Sequence, residues 1–171
     1  IDFIGGGRPS FILPSVNKKQ LEEHVREIHG KGLEFNYLLN SVCLANKEFT
    51  ISGQRQIRLL LDWLVKIKVD SVTVAIPYLV QLIKKNYPQL KVNVSVFANV
   101  DSVIKAKYWQ DLGVDSITLQ STSLNRNFEV LSKIRSYIKC KLGLIANSPC
   151  LYKCSINCYH YATTSHASQI L

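Results

Sequence analysis

Methionine is missing from all 171 residues, and the chain opens at Ile1-Asp2-Phe3, directly in a strand-like run. Such a start suggests a piece of a longer protein, and no signal-peptide pattern accompanies it. Long apolar runs are missing as well. None approaches the roughly eighteen residues of a membrane-spanning helix, so no membrane partner is expected. Acidic side chains are scarce, 12 against 21 Lys and Arg, which leaves a formal net charge of +9. An excess of that size favours polyanions, nucleic acid being the usual one. The lysines (Lys18, Lys19, Lys31, Lys66, Lys68, Lys84, Lys85, Lys105 and Lys107 among them) are dispersed, so the charge permits RNA without identifying it. An even, well-spread set of cysteines is also lacking. Five crowd toward one end (Cys43, Cys140, Cys150, Cys154, Cys158), a poor disulfide framework that suits a reducing compartment and a cytoplasmic protein.

Several chemical signatures are absent too. No G-x-G-x-x-G opens a helix after the first strand, since Gly5-Gly6-Gly7 runs into Arg8-Pro9, and this argues against a dinucleotide-binding sheet. No Ser-His-Asp or Cys-His arrangement is readable from linear spacing. What remains, 47% hydrophobic and 19% charged residues, is the composition of an ordinary domain able to bury a core.

The chain then shows a repeated beat of strand and helix. Leu21, Val25 and Ile28 recur at helical spacing within 18–29, with Ser15 or Asn17 as N-cap. A short apolar run follows at 35–39. A helix over 54–68 precedes a strand at 71–76 that Pro77 ends. The alternation continues with helix 78–86, strand 92–97, helix 101–112 stopped by Gly113, strand 115–119, helix 127–138 and strand 141–145. Units of this kind specify parallel strands with helical crossovers. Polar residues recur where strands end: Asn36 and Asn40, Ser95 and Asn99, Gln120 and Ser121, Asn147. Each suits a turn, yet their recurrence at strand C-termini is the pattern of a barrel whose active site lies there. The expected fold is an α/β, parallel (β/α) TIM-like barrel. It is incomplete in this chain, because a full one takes about 250 residues. Residues 1–147 form the partial barrel, and 148–171 form a Cys/His segment expected to continue into further sequence.

Chemistry concentrates in that last segment. Cys150, Cys154 and Cys158 repeat every fourth residue, with His160 and His166 close behind. On a helix the sulfurs would share a face; in a loop they could converge on one metal. Soft thiolates select iron–sulfur clusters or zinc, and zinc would take His160 or His166 as a further ligand. Buried free thiols are the plain alternative. The spacing is neither the CxxC of zinc ribbons nor the CxxxCxxC of radical S-adenosylmethionine enzymes. Elsewhere, Glu48 sits in a loop after a strand, where a catalytic carboxylate could stand. Arg126 lies at the head of a helix, suited to hold an anion. Cys140 is expected in the core, and His24 and His29 are expected to be structural or exposed.

Taken together, Gly5-Gly6-Gly7-Arg8-Pro9, Phe35-Asn36-Tyr37-Leu38-Leu39-Asn40, Asn46-Lys47-Glu48, Asn125-Arg126, Cys150-Leu151-Tyr152-Lys153-Cys154, His160 and Ser165-His166-Ala167-Ser168 resemble the collagenase-like peptidases of peptidase family U32. The resemblance implies a TIM-like barrel of which this chain covers roughly strands two to seven. It also implies, despite the peptidase name, oxygen-independent or prephenate-dependent hydroxylation of ubiquinone precursors, transfer RNA or ribosomal RNA. Several relatives hold a 4Fe–4S cluster on four cysteines, and Cys150 and Cys154 match expected positions. Two departures stand out: Ser155 replaces the usual Pro, and Cys158 is an extra thiol. The resulting expectation is an iron–sulfur enzyme acting on RNA or a small aromatic metabolite. Cys150, Cys154 and Cys158 would hold metal, and Asn36, Asn40, Glu48 and Arg126 would line the substrate mouth. A zinc-dependent peptidase and a non-catalytic RNA-binding scaffold are the alternatives.

Overall fold

The computed structural model describes residues 2–4, 16–148 and 150–170. Strands and helices alternate as β1 (Asp2–Ile4), α1 (Lys18–Gly30), β2 (Glu34–Leu39), α2 (Ile51–Lys66), β3 (Ser71–Val74), α3 (Pro77–Asn86), β4 (Lys91–Val94), α4 (Val103–Asp111), β5 (Ser116–Thr118), α5 (Ser121–Leu124), α6 (Phe128–Tyr137), β6 (Lys141–Gly143) and α7 (Asn157–Ile170). The six strands pair in parallel in the order β1-β2-β3-β4-β5-β6. A doubly wound sheet would reverse its strand order at a switch point. An unbroken sequential order belongs to a barrel, so the fold is an incomplete TIM-like barrel. The Gly5-Gly6-Gly7-Arg8-Pro9 run and Ser15 lie outside the described residues.

Local chemistry explains the elements. Asn17 caps α1: its side chain accepts from Gln20 N while Gln20 Oε1 accepts from Asn17 N, both at 2.9 Å. Leu21, Val25 and Ile28 form the buried stripe of α1. Pro77 does more than end β3. It opens α3 at the first-turn position, where its missing N–H is needed least. Strand β4 is shorter than its apolar run because Ser95 caps a short 3₁₀ turn at Val96–Ala98, and the pairing of β3 and β6 ends at Val74 and Gly143. Two helices have no counterpart in the periodicity, the four-residue α5 and α7.

The sheet has two chemically opposite faces. Phe35 and Tyr37 of β2, Val72 and Val74 of β3, Val92 and Val94 of β4 and Ile117 of β5 are buried in one apolar cluster with the helices. The alternate residues are mostly polar, Leu38 of β2 being an exception. One row runs from Leu38 through Thr73, Asn93 and Ser116 to Lys141. On that face Asn36 Nδ2 donates to Thr73 Oγ1 (2.7 Å), Ser116 Oγ donates to Asn93 Oδ1 (2.6 Å), and Lys91 Nζ reaches Glu34 Oε1 (2.7 Å). The concave side of this barrel is therefore hydrophilic, where many barrels fill theirs with branched apolar residues.

At the N-terminal ends of the strands two aspartates repeat one device. Asp70 Oδ2 accepts from Phe35 N (2.7 Å) and meets His29 Nε2 (2.8 Å); Asp115 Oδ2 accepts from Val92 N (2.7 Å) and meets Lys84 Nζ (2.6 Å). Each loop carboxylate ties a neighbouring strand to the preceding crossover helix. His29 is thus structural, and His24 packs edge-on against Phe35 at 5.7 Å.

Tyr87 supplies a pH-dependent element of this framework. Its hydroxyl donates to Asp62 Oδ1 at 2.9 Å. Burial first, then the hydrogen bond and charge of Asp62, push its pKa above the ordinary 10.0. A folded pKa above the unfolded one means the unfolded chain releases the proton first. The contribution is fully present below pH 10.0 and is lost as pH rises through the folded pKa. Urea midpoints should therefore fall between pH 9 and pH 11 (values set about the ordinary phenol pKa), and Tyr87→Phe should flatten that fall. An unchanged slope in the variant would refute the assignment.

Candidate functional site

Residues 150–170 return across the C-terminal ends of the strands. Val42 N, in the loop after β2, donates to Ser165 Oγ (3.0 Å). Phe97, after β4, stacks on Tyr161 at 4.1 Å with 15° between the rings. Asn99, also after β4, points its amide toward Cys158 Sγ (3.5 Å) and accepts from Asn157 Nδ2 (3.4 Å). Tyr161 and Ser165 are buried one helical turn apart on α7 and face the mouth. Helix α7 thus lies over the end of the barrel where its chemistry is expected.

Three cysteines do not share a helical face. The left-handed Lys153 (φ 50°) helps keep 150–156 in turns, and Lys153 N donates to Thr122 O (3.0 Å). Only Cys158 is in the helix, in its first turn. None of the three is in a disulfide. Tyr161 is buried on the same helix, one turn after Cys158. Burial pushes the phenol above 10.0, and the charges of Cys150, Cys158 and Cys154 push it further. The donor type, three free thiols in one short segment, suits a thiolate-bound cluster. Among the described residues, however, no three His, Cys, Asp or Glu side chains already stand in ligand geometry.

Beside the cysteines a cleft of about 550 Å³ opens between the turns that follow β5 and β6. Its walls include Ser121, Thr122, Ser123, Asn125, Arg126 and Cys150. Ser121 Oγ donates to Ser148 Oγ (3.0 Å), which closes one end. Asn125 Nδ2 donates to Ile145 O (2.7 Å), while its Oδ1 is buried with no partner. Arg126 stands exposed, one residue before Asn127, the N-cap of α6.

The other candidates lie apart from this cleft. Asn36 is 5% exposed on the concave face, bonded to Thr73 with its Oδ1 unpartnered. Asn40 follows β2 directly, half-buried. Glu48 occupies a 3₁₀ turn (Lys47–Phe49) reached through Ala45 and Asn46, both left-handed at φ 53° and 61°. Its Oε2 is buried without a partner. A strained backbone aiming a half-buried carboxylate is the arrangement that functional loops tend to keep. His160 and His166 are exposed on α7. Cys140 is half-buried against the core, and its thiol pKa is raised by burial.

Sequence reading marked Ser121 at a strand end but missed Tyr161, Tyr152, Ser123 and Ser148. Tyr161 stands three residues after Cys158, a spacing that carries meaning only once the helix is known. No helix among the described residues is long and apolar enough to cross a membrane.

Comparison with known proteins completes the picture. The model of Peptidase family U32 matches residues 11–168. An uncharacterized protease of Methanocaldococcus jannaschii is 38% identical over 98% of this chain and 49% of its own length. The tRNA hydroxylation protein P of Escherichia coli is 25% identical over 80% of this chain and 29% of its own. A solved U32 peptidase superposes with a TM-score of 0.85 at 27% identity, covering 98% of this chain and 68% of that one. The chain thus spans half or less of the curated relatives it matches.

Proposed function

The chain belongs to peptidase family U32, and from that membership we propose that it is the barrel part of an iron–sulfur enzyme that hydroxylates transfer RNA. The observation that carries this reading is the set of three free thiols in the segment that α7 anchors at the barrel mouth, with Cys150 lining the cleft and Cys158 meeting Asn99. The distant similarity to tRNA hydroxylation proteins supports the substrate class, and the charge of +9 suits RNA.

Cys150 and Cys154 would hold the cluster, with Cys158 as a third thiolate. A 4Fe–4S cluster takes four such ligands, so a fourth position falls to another group. A bound cluster would supply one-electron redox chemistry at the mouth. Around it the chain's own residues have separate tasks. Tyr161 keeps a neutral hydroxyl at the mouth, because burial opposes its ionisation. Arg126 offers a positive charge to substrate phosphate, and Ser121, Thr122 and Ser123 present hydroxyls to its polar edges. Ligation by all three cysteines requires the 150–156 turns to close inward.

The test compares transfer RNA nucleosides from cells lacking the full-length protein with those from complemented cells. Mass spectrometry should show one nucleoside losing a single oxygen in the deletion strain and regaining it on complementation. Identical nucleoside profiles would sink the reading. A colourless protein carrying zinc would redirect attention to hydrolysis by a metal-bound water.

A further inference from the structure

We propose that the cleft after β5 and β6, with a rim of Arg126, Phe128 and Tyr152, seats one unpaired nucleotide of an RNA strand. This rests on RNA being the substrate and adds where and in what state it is held.

The first argument is shape. The cleft, about 550 Å³, is within the range of small-ligand pockets and ample for a single nucleoside. A second hollow shares Ser123, Arg126 and Tyr152 with it and extends to Phe128. Together they make a track in which one unit enters and its neighbours pass along the rim. Paired bases in a duplex present no free faces or Watson–Crick edges to such a depression, whereas a loop nucleotide does.

The second argument is the rim. Phe128 and Tyr152 are each 73% exposed. Rings left in water beside a cationic side chain are the elements of a single-strand platform, on which bases stack whatever their identity. Lys153 Nζ stands 5.3 Å from the centre of the Tyr152 ring and braces it. None of the ion pairs found among the described residues engages Arg126, so its guanidinium is available to a phosphate.

The third argument is an unmet acceptor. Asn125, which lines the cleft, is oriented by its bond to Ile145 O, and its Oδ1 is shielded from solvent with no donor. A buried carbonyl without a partner is costly. A base N–H or an exocyclic amine seated in the cleft would satisfy it once the Asn125 amide turns toward the cleft. Cys150 lines the same cleft, so a base seated there lies beside the thiol segment.

The experiment uses the full-length protein and fluorescence anisotropy with two labelled RNAs, a hairpin with an open loop and a blunt duplex of equal length. Wild type should prefer the open loop. Tyr152→Ala should weaken loop binding roughly tenfold or more, the size of one lost base–aromatic stack, with duplex binding unchanged, while Tyr152→Phe should retain it. Arg126→Gln should flatten the salt dependence by about one phosphate contact, a slope change near ~0.7. Equal affinity for the two RNAs, or wild-type loop binding by Tyr152→Ala, overturns the site. If hydroxylation of transfer RNA persists in that second case, the proposed function survives and only this placement fails. Absence of RNA binding by wild type overturns both.

Discussion

Full-length protein carrying Cys150→Ser, purified without oxygen, should lose its iron and acid-labile sulfide roughly tenfold or more relative to wild type. Thiolates rather than hydroxyls hold iron–sulfur clusters, because soft sulfur matches the metal and a serine hydroxyl does not ionise near neutral pH. Even losing a group outside the ligand sphere typically costs about 10–100-fold in metal affinity, so losing a ligand should cost at least that. The fold should survive. Cys150 is half-buried in a turn, where its N–H leans on Ser148 Oγ at 3.4 Å, and a serine fits the same space. The control is Cys140→Ser. Cys140 is half-buried against the core before β6, beside Arg135 rather than Tyr161, and its loss should leave iron content unchanged. Iron measurement and the visible spectrum decide the matter. Undiminished iron in Cys150→Ser would remove this cysteine from the ligand set.

Gly53→Ala should be the most damaging single-methyl change in the chain's described glycines. Gly53 lies in the first turn of α2, its N–H capped by Thr50 Oγ1 at 3.0 Å. A methyl there would stand 2.1 Å from the carbonyl oxygen of Lys47 and 2.7 Å from its carbonyl carbon. Both are backbone atoms, so no rotamer relieves the contact. Either α2 or the Lys47–Phe49 turn must move, at about 1–3 kcal/mol for such overpacking. That turn carries Glu48 and is held by Gln54 Nε2 donating to Glu48 O (2.9 Å), so the candidate carboxylate moves with it. The matching control is Gly30→Ala at the end of α1, where an added methyl meets nothing within 4 Å. That change should be neutral or stabilise by up to about 1 kcal/mol through helix propensity. Urea denaturation of both variants gives the comparison, and equal midpoints would refute the steric account.

The two expected results differ in how they could have been foreseen. Cys150 is conspicuous in the sequence, since three cysteines within nine residues draw attention without any fold. Gly53 is one glycine among eight and becomes special only when the 3₁₀ turn lands on it. The same contrast runs through the site. Ser95, Asn99, Gln120 and Ser121 were legible as polar residues at strand ends, and the structure uses them in two ways. Ser95 and Gln120 cap short turns by accepting from Phe97 N and Ser123 N, while Ser121 lines the cleft and Asn99 reaches Cys158. Composition could not separate cap from site, because a side chain at a strand end does whichever its neighbours permit.

The sequence by itself determined the α/β class, the parallel alternation and the positions of the apolar face. These depend on local periods of two and about 3.6 residues, which each segment carries within itself. It also marked Cys150, Cys154 and Cys158 as a group. Only the tertiary structure decided that α7 folds back over the mouth, that Asn99 meets Cys158, and that Arg126 and Asn125 share a cleft with Cys150. Those facts join residues far apart in the chain, such as Val42 and Ser165 or Phe97 and Tyr161. Such pairs meet only when the crossover helices bring all strand ends to one side of the sheet, and no local pattern encodes the meeting.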